Sequence, residues 1–249
     1  MTTPPFAFNP ALDLPQLAAD YARKGRLQVR DVFTEATAEA ILAMLERDTP
    51  WGIAFNDGER VIQLDRAQSM GLSPADRQRI AMGVAEGARR GYQFIYSLYP
   101  LLQSYFDPKA PHSPLFALFE WLNGPTFLDF ARRLTGLEGI VWADAQATMF
   151  GSGQFLKYHT DETPSQQRLA AYVINLTKDW GRDWGGFLQF FDEKYDIEEA
   201  LRPVFNAINI FTVPADHSVG IVAPYVQRGR LAITGWLRGD QPPRPIGGR

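Results

Sequence analysis

Cysteine is absent from all 249 residues. That absence removes disulfides, zinc–thiolate sites, iron–sulfur clusters and cysteine nucleophiles together. A chain without disulfides also suits a reducing compartment, so the expected location is the cytoplasm. No apolar run reaches the roughly 20 residues that span a bilayer, and no membrane partner is expected. The opening stretch, Met1 to Pro10, has neither a basic n-region nor an apolar h-region, so no signal peptide is expected. Excess charge is missing too: 25 basic residues against 28 acidic leave a net charge of −3. With no positive field, nucleic acid is not an expected partner. The short basic pairs Arg89-Arg90 and Arg132-Arg133 fit solvated helix faces. There is no internal repeat and no low-complexity stretch.

What is present is an ordinary globular composition, 45% hydrophobic, 13% aromatic and 21% charged. It suffices for one buried core with helical decoration, or two small domains at most. The first half reads mainly helical. Thr34 is placed to cap a helix whose apolar face is Ile41, Leu42 and Leu45. Ser73-Pro74-Ala75-Asp76 combines a capping hydroxyl, a first-turn proline and an acid at the positive helix end. Helical pattern then runs, with interruptions, through Arg90, Phe106 and Leu134. Between the early helices, residues 51–55 and 59–64 flank Asn56-Asp57-Gly58, which predicts a hairpin.

After about residue 139 the pattern becomes β-like. Short runs cover 140–150, 154–161, 169–176, 187–191, 206–213, 217–222 and 230–237, separated by turn-formers such as Gly151-Ser152-Gly153 and Gly185-Gly186. Many short strands with regular turns indicate a sandwich or barrel. The expected class is α+β, with the helices buttressing the sheet rather than folding alone. The expected organisation is one domain over 1–240, helical to about 138 and β from about 139 to 238. Residues 241–249 form a tail expected to be poorly ordered.

Only three histidines occur, and two lie in the β-rich half. In Lys157-Tyr158-His159-Thr160-Asp161, His159 and Asp161 stand two residues apart, which on a strand aims both at one face. His217 opens another short strand about 55 residues later. Two imidazoles and a carboxylate make the facial triad of non-haem Fe(II) oxygenases, with coordination positions left open. A His-x-Asp triplet by itself equally fits a satisfied strand histidine beside a turn acid. His112 has no partner pattern and reads as a loop or helix start. Arg230 follows in Arg230-Leu231-Ala232-Ile233-Thr234-Gly235-Trp236, whose alternation turns Arg230, Ala232 and Thr234 to one face. A guanidinium inside a barrel is costly unless a carboxylate meets it, and the distal carboxylate of 2-oxoglutarate is such a partner. Standing alone, Arg230 fits an edge-strand arginine reaching solvent.

The His-x-Asp pair, the later histidine and Arg-Leu-x-Ile-x-Gly-Trp together resemble the prolyl-4-hydroxylase-like branch of the Fe(II)/2-oxoglutarate-dependent dioxygenases. Arg168–Leu176, Lys178-Asp179-Trp180, Gly185-Gly186-Phe187-Leu188 and Phe190-Phe191 match the same branch. The similarity covers roughly residues 140–238 and leaves the first 130 or so without an assigned motif. It implies a double-stranded β-helix (jelly-roll) core, with Fe(II) on His159, Asp161 and His217 and the co-substrate carboxylate on Arg230. It implies that Tyr172 helps hold 2-oxoglutarate, although a core aromatic fits equally. Phe150 departs from the branch, where relatives often carry a second co-substrate tyrosine. Ala232 stands where some other oxygenase families use serine. The implied activity is hydroxylation of a C–H bond, of a prolyl residue in a protein or peptide, with O2 consumed and ascorbate as a reductant. The alternatives are the same chemistry on a free amino acid or other small molecule, and a non-catalytic jelly-roll binding protein. A cupin-type site is disfavoured, since His-x-His followed by Glu is missing. Ala67–Ser73 and Glu162–Gln167 read as substrate loops or plain connectors, and Trp180 and Trp184 as groove lining or a cover for the sheet end.

Overall fold

The computed structural model describes residues 6–249. Met1–Pro5, on which part of the leader expectation falls, lie outside the described residues. Chain order begins α1 (Leu14–Lys24), β1 (Arg26–Arg30), α2 (Glu35–Ala43), β2 (Gly52–Asp57), β3 (Arg60–Leu64), α3 (Arg66–Met70), α4 (Pro74–Arg90), β4 (Phe94–Tyr99), α5 (Leu101–Phe106), α6 (Leu115–Leu122) and α7 (Pro125–Thr135). Strands follow: β5 (Trp142–Ala143), β6 (Gln146–Phe150), β7 (Phe155–His159), β8 (Arg168–Asn175), β9 (Leu188–Phe191), β10 (Ile197–Leu201), β11 (Ala207–Thr212), β12 (His217–Val219) and β13 (Arg230–Arg238).

The local signals act as expected. The Thr34 hydroxyl accepts the Thr37 amide at the start of α2. Ser73 and Asp76 exchange hydrogen bonds around Pro74 to start α4, satisfying amides that have no partner within the helix. Gly58 takes a left-handed φ of 62° at the β2–β3 turn, as a two-residue hairpin requires.

All pairings are antiparallel, in the order β1-β11-β8-β13-β6-β4-β7-β12-β9-β10. The path curls on itself. Arg26, on one end strand, hydrogen-bonds Glu198 and Glu199 on the other, the latter at 2.7 Å. The result is a nearly closed jelly-roll barrel, as the sequence led us to expect. Alternation along β13 shows how it is built: Leu231, Ile233 and Leu237 enter the core shared with the helices, while Arg230, Thr234 and Trp236 line the barrel cavity. The helical layer is held by aromatics: Phe8 stacks on Phe130 at 4.2 Å and tilts against Trp121 at 5.2 Å.

Two sequence expectations need correction. The first half is not simply helical, for it supplies β1 to β4 to the same sheet. Of these, β4 is decisive, because it pairs with both β6 and β7 and so joins the two walls. The tail is not loose either. Gly247 N–H donates to the Tyr105 hydroxyl at 2.9 Å, and the Arg249 guanidinium donates to carbonyls at the end of α5, Ser104 among them at 2.7 Å. Such a docked cation favours the negative end of a helix. His112 packs edge-on against Phe116, away from the cavity. Among the described residues, no helix is long and apolar enough to cross a membrane.

Asp144, buried between β5 and β6, ties this corner to β13. Its carboxylate accepts the Trp236 amide at 2.7 Å and Arg238 Nη1 at 3.3 Å. Burial, only partly offset by these contacts, pushes its pKa up from 3.8 to about 6. Gly235 passes so close that a Cβ there would lie 2.0 Å from the Asp144 carbonyl oxygen. Gly235→Ala should therefore cost roughly 2–4 kcal/mol in urea unfolding through forced backbone displacement. Because the folded protein holds the Asp144 proton more tightly than the unfolded chain, this group destabilises the fold as pH rises from about 4 to about 6. The stability difference between wild type and Asp144→Asn should change by about 2 kcal/mol across that window, in favour of the variant at higher pH.

Candidate active site

The last residue of β7 and the first of β12 are paired: His159 stands opposite His217. Both rings turn inward, with centroids 4.2 Å apart. The Nδ1 of His159 lies 2.9 Å from the Lys157 carbonyl, and that of His217 lies 2.8 Å from the Ala215 carbonyl. A carbonyl only accepts, so each Nδ1 carries the hydrogen and each Nε2 keeps its lone pair. Both Nε2 atoms aim at one carboxylate: His159 Nε2 is 3.5 Å from Asp161 Oδ1, and His217 Nε2 is 3.5 Å from Asp161 Oδ2. Asp161 is not on the strand, as a strict period-two reading supposes. It reaches in from the coil after β7 and is buried.

The three residues offer ligand atoms all within 4.8 Å of one another, a donor set of two imidazoles and one carboxylate that fits iron. Burial and the neighbouring His159 hold the His217 pKa below 6.5, which keeps that ring neutral, as a metal ligand must be. Burial alone would raise the Asp161 pKa. Its contacts with the His159 and His217 rings outweigh burial, and the carboxyl sits below its ordinary value.

This cluster opens into a cavity of about 590 Å³ that Arg230 also lines. Arg230 is 2% exposed, yet among the described residues its only side-chain hydrogen bond is from Nη2 to Asn175 Oδ1 at 3.1 Å. Its Nε has no partner among the described residues, and neither do the hydroxyls of Thr148 and Thr234 in the same cavity. Phe150, opposite it on β6, offers only a ring face at 5.6 Å. Burial pulls the Arg230 pKa from 12.5 down to about 10, so the group stays charged. A buried cation without a counter-charge marks a site for an anion.

Tyr172 is not part of this arrangement. Although it borders the cavity, its ring packs 5.8 Å from Phe127 in the helical layer, and its hydroxyl donates to the Asp144 carbonyl at 2.7 Å. The hydroxyl is thus engaged in the wall and not free for a bound carboxylate. Residues without a role in the sequence reading are present instead. Tyr96 of β4 lines the cavity against Phe150, at 5.1 Å; the alternation Phe94, Tyr96, Leu98 within the supposed helical half was its signal. Asn175 and Thr148 sit beside Arg230 with small polar groups. Arg168 lies flat over Trp236 at 3.5 Å and donates to the Asp161 carbonyl at 3.0 Å, bracing the loop that carries the acid. Val61 and Gln63 of the hairpin border the cavity, whereas Ala67–Ser73 is largely taken up by α3 and lines no part of it. Trp180 donates to the Gly185 carbonyl at 2.8 Å and meets Trp184 edge-on, covering one end of the barrel.

Comparison with known proteins agrees with this geometry. Residues 145–238 match the 2OG-Fe(II) oxygenase superfamily. The chain is 24% identical over 243 residues to the mouse prolyl 3-hydroxylase OGFOD1, covering 90% of this chain and 42% of that protein. It therefore spans less than half the length of that curated relative. A Pseudomonas putida prolyl-4-hydroxylase superposes with a TM-score of 0.56 at 19% identity, over 91% of this chain and 99% of the other. A Trichoplax adhaerens prolyl hydroxylase, solved with a hypoxia-inducible factor peptide fragment, superposes with a TM-score of 0.51 at 13% identity, over 91% and 89%. The resemblance to the prolyl-hydroxylase branch and the jelly-roll fold both stand.

The unpaired guanidinium makes a stability prediction. Arg230→Met fills the same volume without a buried charge and should stabilise the ligand-free protein by about 1–3 kcal/mol in chemical unfolding. A destabilised variant would show that Arg230 holds the fold and does not await a ligand.

Proposed function

We propose that this chain is an Fe(II)- and 2-oxoglutarate-dependent dioxygenase that hydroxylates a C–H bond, most directly that of a prolyl residue in a protein or peptide. One observation carries the reading: two imidazoles with their Nδ1 hydrogens engaged converge on one carboxylate, in the same cavity as a buried cation that lacks its anion. His159, Asp161 and His217 would hold the metal. When bound, iron would supply the activation of O2, driven by oxidative decarboxylation of 2-oxoglutarate to succinate and CO2.

The chain's own residues do the positioning. Arg230 would take the far carboxylate of the co-substrate through charge-assisted hydrogen bonds. Asn175 shares that guanidinium, and the free Thr148 hydroxyl is placed to add a donor where Phe150 cannot. Tyr172 contributes indirectly, through Asp144. Arg168 and Trp236 hold the Asp161 loop, and Tyr96, Phe150 and Leu156 exclude water from the cavity floor. The prolyl substrate is supported by the relatives' names, which include both 3- and 4-hydroxylases, and by the exposure of Tyr92 and Val61 at the cavity border. An open border suits a polypeptide better than a small molecule that must be enclosed.

The test is succinate formation from 2-oxoglutarate with added Fe(II), with proline-containing peptides set beside free amino acids. His159→Ala and Asp161→Ala should each abolish turnover. Arg230→Ala should raise the KM for 2-oxoglutarate by about two orders of magnitude, as expected when a charged partner is removed. Full activity of Arg230→Ala at low co-substrate would sink the assignment. Stimulation by free amino acids and by no peptide would move the substrate to the small-molecule class.

A further inference from the structure

Four non-glycine residues among those described have positive φ: Asp31, Asp179, Asn206 and Tyr195. Three are Asp or Asn, whose short polar side chains tolerate the left-handed region. Tyr195, at φ 65°, is the exception. Glycine would take that backbone without strain, and no burial compensates, because Tyr195 is 71% exposed. The turn that presents it is well fixed. The Asp192 carboxylate accepts the amides of Lys194 and Asp196 at 2.8 and 3.0 Å, and the Asp192 amide donates to the Asp196 carbonyl at 3.0 Å. A strained, exposed aromatic on a rigid turn points to a role outside the fold.

Tyr195 does not stand alone. Its ring meets Tyr158 at 5.8 Å, and Tyr158 meets Phe191 at 5.5 Å, both edge to face. Tyr158 is itself 40% exposed. These rings occupy the outer side of the wall whose inner side carries the candidate metal ligands, since Tyr158 precedes His159 on β7 and Phe191 follows Phe190, which packs near His217, on β9. The surroundings are acidic. The turn itself carries Asp192, Glu193 and Asp196 against one base, Lys194, and Asp216 lies near Tyr158. Lys157, next to Tyr158 on β7, turns to the opposite face, where its ammonium donates to the Ala88 and Gly91 carbonyls at 2.7 Å each.

We propose that the Tyr158–Phe191–Tyr195 platform is a docking surface for a lysine- or arginine-bearing, extended stretch of the polypeptide substrate. Ring faces attract ammonium and guanidinium groups, and the four carboxylates add attraction for the same charge while repelling an acidic chain. The platform lies on the outer face of the cavity wall and does not line the cavity; a chain with its reacting residue inside would reach these rings by running over the edge of that wall. The inference rests on the reading that the substrate is a peptide, and it adds what that peptide carries beside the reacting residue.

The test uses fluorescein-labelled peptides with a central proline and Gly-Lys flanks, the same peptides with alanine for proline, and a set with Gly-Glu flanks. Binding to the full chain is read by anisotropy. Lysine-flanked peptides should bind with either central residue, more weakly as salt rises, and glutamate-flanked ones should not. Tyr195→Gly should weaken binding roughly fivefold, the scale of one exposed cation–ring contact, while leaving the melting temperature unchanged or higher. Glu193→Lys should weaken it as well. Equal binding of both flank types, or affinity indifferent to Tyr195→Gly, overturns the proposal, as does self-association that Tyr195→Gly abolishes, which would make a second copy the occupant. Lysine-dependent binding without any succinate formation upholds the platform and removes the oxygenase reading. Turnover of a prolyl peptide indifferent to flank charge does the reverse.

Discussion

The antiparallel pairing of β7 with β12 is the constraint on which the candidate site depends. It places two histidines from distant parts of the chain directly opposite each other. Backbone carbonyls two residues before each ring then fix the tautomer. Because both fixing contacts come from each histidine's own strand or turn, the register alone determines that the two free lone pairs meet. A one-residue slip would turn one ring to the outside of the barrel. The Asp161 loop completes the arrangement and is the less regular part, so it needs bracing by Arg168 against Trp236.

Polar groups left without partners gather in one place. Thr148, Arg230, Thr234 and Trp236 all line the cavity, and together they make up most of the buried side-chain polar atoms that lack a hydrogen bond among the described residues. Outside the cavity only Asn56 Oδ1 and Asn209 Nδ2 are in this state among the described residues, while Gln93, for example, bonds the backbone of Asn56 and Phe94 at once. The contrast carries meaning. Proteins tolerate unpaired buried groups where a ligand is to complete them. The two walls of the barrel differ in the same way. One is covered by aromatic helices and reads as core. The other turns its outer face to solvent and bears the rings of Tyr158 and Tyr195.

Much of this was legible from residues alone, for reasons that differ by element. The late strands β8, β11 and β13 were readable because each is apolar and bounded by turn-formers. β10 was not: its Ile-Glu-Glu-Ala-Leu lies on an exposed edge where no buried face imposes alternation. β4 was hidden inside a helical reading, since Phe94–Tyr99 is short and flanked on both sides by true helices. With β4 went Tyr96, a tyrosine that lines the cavity against Phe150. Tyr172 was over-read for the opposite reason. Its neighbours alternate correctly, but only the barrel shows that its parity turns toward Phe127 and the helices.

The sequence by itself determined the donor types. His159, Asp161, His217 and Arg230, on strand-like segments, are the residue types that a facial metal site beside an anion site requires. Residue type and spacing carry that much because ligand chemistry is a property of side chains. Which side chains meet is a property of pairing across long separations, and only the tertiary structure decided it. It closed β1 onto β10, set β4 between the walls, withdrew the Tyr172 hydroxyl to Asp144 and left the Arg230 guanidinium buried without its counter-charge. Each follows from register and burial, which no local stretch of the chain encodes.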